Sequence, residues 1–251
     1  MALINMTEYE REYGFRMHVT PDGNFPGVTT VLSATADKSF LRHWKRRVGE
    51  KVAEQLKQDG IDRGNFTHNL IEGYLGEFSK FDSSDIKPYV LDYLNGNNNR
   101  LDLTQQYYRL GKEAIAYVSQ LDEIVLVEQG FSSALGYAGS PDCIAMHDGK
   151  LVLLDWKTSA KRKTKSGMKD YCVQLAAYRH LIEENTDYRI DEARICLFYS
   201  DEEGNGGTNI ISLDNSELHE LFEQFLTRLV AFKERLRQLR VHSDMIAAIP
   251  F

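Results

Sequence analysis

Gly139-Ser140-Pro141-Asp142-Cys143-Ile144-Ala145, followed closely by Leu151-Val152-Leu153-Leu154-Asp155-Trp156-Lys157-Thr158, is the stretch whose reading decides the architecture. Its two apolar runs read as strands, Ser140 to Met146 and Lys150 to Trp156, joined by the turn His147-Asp148-Gly149-Lys150. Asp142 opens one strand and Asp155 closes the other, so a tight turn brings both carboxylates toward one place, where hard cations such as Mg²⁺ or Mn²⁺ prefer oxygen ligands. Alternation along the strand puts Lys157 on the same face as Asp155. An ammonium beside a metal can orient or deprotonate a water and neutralise a phosphate oxygen, and phosphodiester cleavage needs those parts. The plainer reading, a turn-forming aspartate and an accidental D-x-K, has to explain why unpaired charge follows a run that should be buried.

Outward from this hairpin, Glu123 to Glu128 reads as a preceding strand and Asp170 to Glu184 as a following helix. Ala193 to Tyr199 and Thr208 to Leu213 form a second strand pair across Glu203–Gly207. The last helix opens on a capping box of Asp214 and Glu217, and Leu218, Leu221, Phe222, Phe225, Leu229, Phe232 and Leu236 form its apolar stripe. Upstream, Phe15–Val19, the turn Thr20–Gly23 and a run through Val28 read as a hairpin. A helix is expected from about Lys38 to Gln58, with Ser39 as cap and Phe40, Leu41, Trp44, Val48, Val52 and Leu56 near helical spacing. Helical pattern continues from Asp62 to about Gln120, with breaks at Ser79-Lys80, Lys87-Pro88 and Asn95–Arg100. The expectation is one α/β domain over residues 1–251, with a helical region at about 38–120 and an α/β core at about 121–251.

Pro141-Asp142, then Asp155-Trp156-Lys157, then Gln174-Leu175-Ala176-Ala177-Tyr178 resemble, in order, the motifs of the RecB-type branch of the PD-(D/E)XK nuclease superfamily. Arg63-Gly64-Asn65-Phe66-Thr67-His68 matches that branch's R-G-x-x-x-H form, though many members carry a small residue where Asn65 stands. Pro26–Leu32 with the Phe40-to-Gly49 helix is similar to the opening of phage exonucleases and of the mitochondrial genome-maintenance exonuclease. The resemblance spans most of Val28 to Tyr178 and implies a restriction-endonuclease-like mixed sheet flanked by helices. It implies Asp142 and Asp155 as metal ligands for Mg²⁺ or Mn²⁺, with His68 as a further ligand. It also implies Lys157 as the catalytic lysine, with Gln174 and Tyr178 organising the site or touching substrate. Glu128, at the end of the preceding strand, is an additional candidate ligand. Some members hold an iron–sulfur cluster on four cysteines; this chain has three, Cys143, Cys172 and Cys196, which read as small core residues.

Thirty basic against thirty-seven acidic residues give a net charge of −7, which argues against a protein that simply coats nucleic acid. Two basic clusters stand out: Arg42, Lys45, Arg46, Arg47 and Lys51 around Trp44, and Lys161, Arg162, Lys163, Lys165 and Lys169 just past Lys157. Such runs are commonly solvated faces, but beside a metal site they suit a phosphate backbone. Arg63, Arg46, Lys161, Lys163 and the hydroxyls of Thr29, Thr30 and Thr158 are therefore candidate substrate contacts. Phe66, Tyr74, Tyr107 and Tyr108 could stack bases or simply fill the core. No run is apolar enough to span a bilayer and no leader is recognisable, so the expectation is a cytoplasmic protein, in the host cytoplasm if phage-encoded. The leading expectation is a DNA exonuclease acting on single-stranded or free ends, with replication or recombination proteins as partners. A structure-selective endonuclease and a non-catalytic nucleic-acid-binding protein of the same fold are the alternatives.

Overall fold

A computed structural model describes residues 3–76, 85–97 and 100–247. Four short strands come first, β1 (Leu3–Ile4), β2 (Tyr9–Glu12), β3 (Phe15–Thr20) and β4 (Gly23–Pro26). Five helices follow: α1 (Val28–Thr35), α2 (Ser39–Val48), α3 (Glu50–Gly76), α4 (Lys87–Gly96) and α5 (Thr104–Val118). Next come β5 (Glu123–Val127), β6 (Gly130–Ser133), β7 (Tyr137–Gly139), β8 (Cys143–His147) and β9 (Lys150–Ser159). Helix α6 (Lys169–Asn185), strands β10 (Glu192–Ser200) and β11 (Gly206–Leu213), and helix α7 (Asn215–Ala247) complete the chain.

The central sheet runs β11-β10-β9-β8-β5; β9 and β10 are parallel and every other pair is antiparallel. Both faces of this sheet are covered, which is why β9 reads as a near-continuous apolar run rather than an alternating one. Ile144, Leu153, Ile195 and Leu197 face a core built with α1, α6 and α7. Val152, Leu154, Trp156, Cys196 and Phe198 face a second core with α3, α4 and α5. The result is the α/β fold expected from the sequence, a mixed sheet between helical layers with a helical N-terminal half. Cys143, Cys172 and Cys196 are free and buried, as small core residues are. Asp214 and Glu217 form the reciprocal capping box, with Glu217 N–H donating to Asp214 Oδ1 at 2.9 Å and Asp214 N–H to Glu217 Oε2 at 3.3 Å.

Several local expectations are corrected. The second run of the first hairpin ends at Pro26, and Val28 starts a helix that the sequence reading had as strand. The helix expected from Lys38 to Gln58 is two helices, because Gly49 takes φ +87° and turns the chain between them. Ser39 is not its cap; the carboxylate of Asp37 accepts the Ser39 N–H at 2.8 Å. Lys87-Pro88 begins α4 rather than breaking a helix, since proline is tolerated in a first turn. The break read at Ser79-Lys80 and part of that at Asn95–Arg100 lie outside the described residues. Strand β8 starts at Cys143, one residue after Asp142, and β9 runs past Asp155 to Ser159 because β10 keeps pairing with it. Of the apolar residues of α2 and early α3, Ala53 is buried, but Phe40 is 76% exposed, and Leu41, Val52 and Leu56 are exposed as well.

Leu153 is fully buried in the central strand, so Leu153→Ala should cost about 2–5 kcal/mol of unfolding free energy. Asp214→Ala, which removes one cap, should cost only about 1 kcal/mol. Urea unfolding followed by circular dichroism checks both, and equal losses would contradict this assignment of core and cap.

Candidate active site

The site begins where the β8–β9 ladder stops. Cys143 is the first β8 residue paired with β9, opposite Leu154, so continuing the register would set Trp156 against Pro141. Proline has no N–H to give a ladder, and the pairing ends there. Yet the N–H and C=O of Trp156 still point to that side, and a buried peptide needs partners. Asp142 Oδ2 accepts the Trp156 N–H at 2.7 Å, and His68 Nε2 meets the Trp156 carbonyl at 3.1 Å. With a carbonyl as partner, Nε2 donates and Nδ1 is left as the free nitrogen. The vacated ladder position thus draws a carboxylate from the strand entry and an imidazole from α3 to one place.

Asp155 and Lys157 share the other face of β9, toward α6. Lys157 Nζ lies 2.5 Å from Asp155 Oδ2 and also donates to the Trp156 carbonyl at 3.2 Å. Gln174 Nε2 donates to Asp155 Oδ1 at 3.2 Å and to the Tyr178 hydroxyl at 3.1 Å. Lys157 also sits 5.1 Å from the centroid of the Tyr171 ring. The sequence reading missed Tyr171, although it is one helical turn before Gln174 and so shares its face.

His68, Glu128 and Asp142 each offer one ligand atom, and these atoms lie within 4.8 Å of one another. His68 Nδ1 is 3.8 Å from Glu128 Oε1, and His68 Nε2 is 3.9 Å from Asp142 Oδ2. Glu128 reaches this position through a left-handed backbone, φ +51°, while its N–H donates to the Asp142 carbonyl at 3.1 Å. A glutamate in that region is strained, and such strain collects at functional sites. Asp155 stands beside this trio rather than within it, its oxygens facing Lys157 and Gln174.

Electrostatics explain what the group lacks. Burial, with the nearby Asp155, pushes the Asp142 carboxyl up to about 7. Burial pulls His68 down, but Glu128 and Asp142 outweigh it and its pKa is raised. Lys157 is likewise raised, because Asp155 and Asp142 overcome its desolvation. With all three carboxylates ionised and His68 neutral, the one ammonium leaves two negative charges, a deficit that one divalent cation would balance. The oxygen-rich donor set with one imidazole suits a divalent cation.

The remaining candidate contacts are placed as follows. Arg63 is on α3, five residues before His68, and Lys161 and Lys163 are on the loop after β9. Arg162 of that loop is tied to Asn209 Oδ1 at 3.1 Å, and Lys165 bonds Glu217. Thr158 pairs with Phe198 in the sheet. Thr29 is exposed in the first turn of α1, and the Thr30 hydroxyl donates to the Arg16 carbonyl at 3.3 Å. Arg46 is on α2, which packs against α3. Phe66 and Tyr107 are core residues in edge-on contact, with ring centroids 5.0 Å apart.

The family model described as the PD-(D/E)XK nuclease superfamily matches residues 34–245. Human mitochondrial genome maintenance exonuclease 1 is 27% identical over 171 residues, covering 65% of this chain and 45% of the relative. The protein of that name from Mus musculus is 25% identical over 226 residues, covering 86% and 61% respectively. The chain thus spans less than two thirds of either relative. An alkaline exonuclease from Laribacter hongkongensis of known structure overlaps 63% of this chain and 85% of its own, at 12% identity and a TM-score of 0.37.

The raised pKa of Asp142 has a measurable consequence in metal-free protein. A carboxyl whose folded pKa, about 7, exceeds its unfolded value of about 4 binds its proton more tightly when folded. Its contribution to stability therefore falls as pH rises between those values. Asp142→Asn keeps an oxygen for the Trp156 N–H but cannot ionise. In EDTA its Tm should exceed that of the parent at pH 8, with the gap closing toward pH 4; thermal scans across that range check the sign.

Proposed function

The chain belongs to the PD-(D/E)XK nuclease superfamily, and from that premise we propose that it is a Mg²⁺- or Mn²⁺-dependent DNA exonuclease. It hydrolyses phosphodiester bonds from single-stranded or free ends, in replication, recombination or DNA breakdown of the phage type. The observation that carries this reading is the meeting of His68, Glu128 and Asp142 around one point, with the Lys157–Asp155 pair beside it. The exonuclease part is supported by the similarity to the mitochondrial genome maintenance exonucleases.

Each residue has a part. His68, Glu128 and Asp142 would hold the divalent cation, with Asp155 beside them as a further candidate ligand. A divalent cation there supplies charge neutralisation at the phosphate and makes water more acidic. Lys157, its pKa held up by two carboxylates, is an ammonium at neutral pH, so it orients the attacking water and neutralises a phosphate oxygen rather than removing a proton. Gln174 fixes the rotamer of Asp155, and Tyr178 fixes Gln174. The Trp156 peptide holds Asp142 and His68 in register, so the groups need little reorganisation when substrate arrives.

Turnover of end-labelled linear single-stranded DNA should require Mn²⁺ or Mg²⁺ and stop in EDTA, while covalently closed circles remain intact. Cutting of circles would establish the endonuclease alternative instead. Lys157→Ala should lower kcat by about 10²–10³-fold, the scale for losing one preorganised charge at a developing anion. Asp155→Ala should abolish turnover with folding intact by circular dichroism; turnover by that variant, or a parental kcat in Lys157→Ala, would overturn these roles.

A further inference from the structure

Tyr171, Gln174 and Tyr178 fall at i, i+3 and i+7 in α6, so they share one face of that helix. Gln174 meets Asp155 and Tyr178 through polar atoms. Tyr171 meets Lys157 through its ring instead. The ammonium stands over the ring face, 5.1 Å from the centroid and within reach of a cation–π contact. The Lys157 side chain is only 17% exposed, so little water screens that attraction. Tyr171 itself is 37% exposed, which makes packing alone a weak reason for an aromatic ring at this position.

The ammonium has two other partners, Asp155 Oδ2 at 2.5 Å and the Trp156 carbonyl at 3.2 Å, and both belong to its own strand. A compact charge on a flexible four-carbon stem follows its acceptors, so these two alone draw it back along β9. A third carboxylate could hold it from the α6 side, but would add charge to a centre where Asp142 and Asp155 already repel. An aromatic face attracts a cation through its quadrupole and adds no net charge. We propose that Tyr171 is a positioning residue for phosphodiester hydrolysis: its ring holds the Lys157 ammonium on the α6 side of the site, where it acts on the phosphate oxygen. The inference rests on the nuclease reading, in which Lys157 is the working cation.

The test separates the electrostatics of the ring from its bulk. In the full chain, Tyr171 is replaced by leucine, by phenylalanine, and by mono-, di- and trifluorinated phenylalanine, which keep the ring's shape while each fluorine weakens its negative face. kcat and KM are read on end-labelled linear single-stranded DNA with Mn²⁺. Tyr171→Leu should lower kcat about tenfold, the scale of one desolvated cation–π contact, with KM little changed. Tyr171→Phe should recover most of that loss, and kcat should fall again in steps along the fluorinated series. Lys157→Ala should be no faster than Lys157→Ala combined with Tyr171→Leu, because the ring then has nothing to hold. A readout apart from turnover comes from NMR of isotope-labelled lysine in EDTA, with the Lys157 resonance assigned by its loss in Lys157→Ala. Its ε-methylene protons should carry a ring-current shift in the parent and in Tyr171→Phe, and lose it in Tyr171→Leu.

A kcat that stays level along the fluorinated series would overturn the proposal, since a ring that only fills space is indifferent to its own charge distribution. A raised KM with kcat unchanged would overturn it too, and would assign Tyr171 to base stacking. So would a double variant slower than Lys157→Ala alone, or a parent without the ring-current shift. Failure of the nuclease reading looks different. Parental turnover by Lys157→Ala would remove that premise and the proposal with it, whereas a slow Lys157→Ala beside a parental Tyr171→Leu would sink the role of the ring alone.

Discussion

One peptide group, that of Trp156, fixes where everything else in the site must be. Its N–H and C=O face a ladder that Pro141 has closed, and both are buried. Leaving either unpaired would cost on the order of 1–3 kcal/mol, so the chain has to bring other groups to them. Those groups, Asp142 Oδ2 and His68 Nε2, come from different layers of the fold, the strand entry and the long helix α3. Satisfying a backbone therefore assembles two of the three candidate ligands. Asp142 in turn gives its own carbonyl to the N–H of Glu128, which brings the third. The proline beside the aspartate is thus as much a part of the site as the carboxylate.

The charges so gathered are poor company without a counter-ion. Asp142 is held near neutrality's edge by burial and by Asp155, Glu128 sits on a strained backbone, and Lys157 and His68 oppose them. A core of similar volume filled with leucine would be more stable. The surrounding structure bears the cost, through two apolar cores on the two faces of one sheet whose central strands are almost wholly buried. Stability made there is consumed at the edge of β9, where Gln174 and Tyr178 spend hydrogen bonds on orientation rather than on packing.

How much of this the sequence carries depends on the kind of signal. The hairpin, the helix after it and the capping box of α7 are local patterns, and the structure has them within a few residues. The Asp155–Lys157 contact follows from two-residue alternation alone. The Pro141 ladder stop is written in the sequence too, but its meaning needs the register that pairs Cys143 with Leu154. Short strands β6 and β7 lack periodicity long enough to read, and Val28 looks like strand because β-branched residues favour it. Phe40, Leu41, Val52 and Leu56 mislead for another reason: helical spacing shows that a face exists, not that anything covers it.

Helix α3 joins these threads. Its second half is core, with Phe66, Leu70 and Ile71 buried and His68 set against β9. Its first half buries little besides Ala53 and carries α2 with it. Arg63 lies between the two halves, where the helix passes from packing to projecting. A chain of net charge −7 with an acidic centre repels a polyanion unless cations are placed locally, because the potential a strand feels within a Debye length is set by its neighbours and not by the sum. Arg63 stands at that boundary, while Arg42, Arg46 and Arg47 are carried on α2 and Lys51 in the first turn of α3.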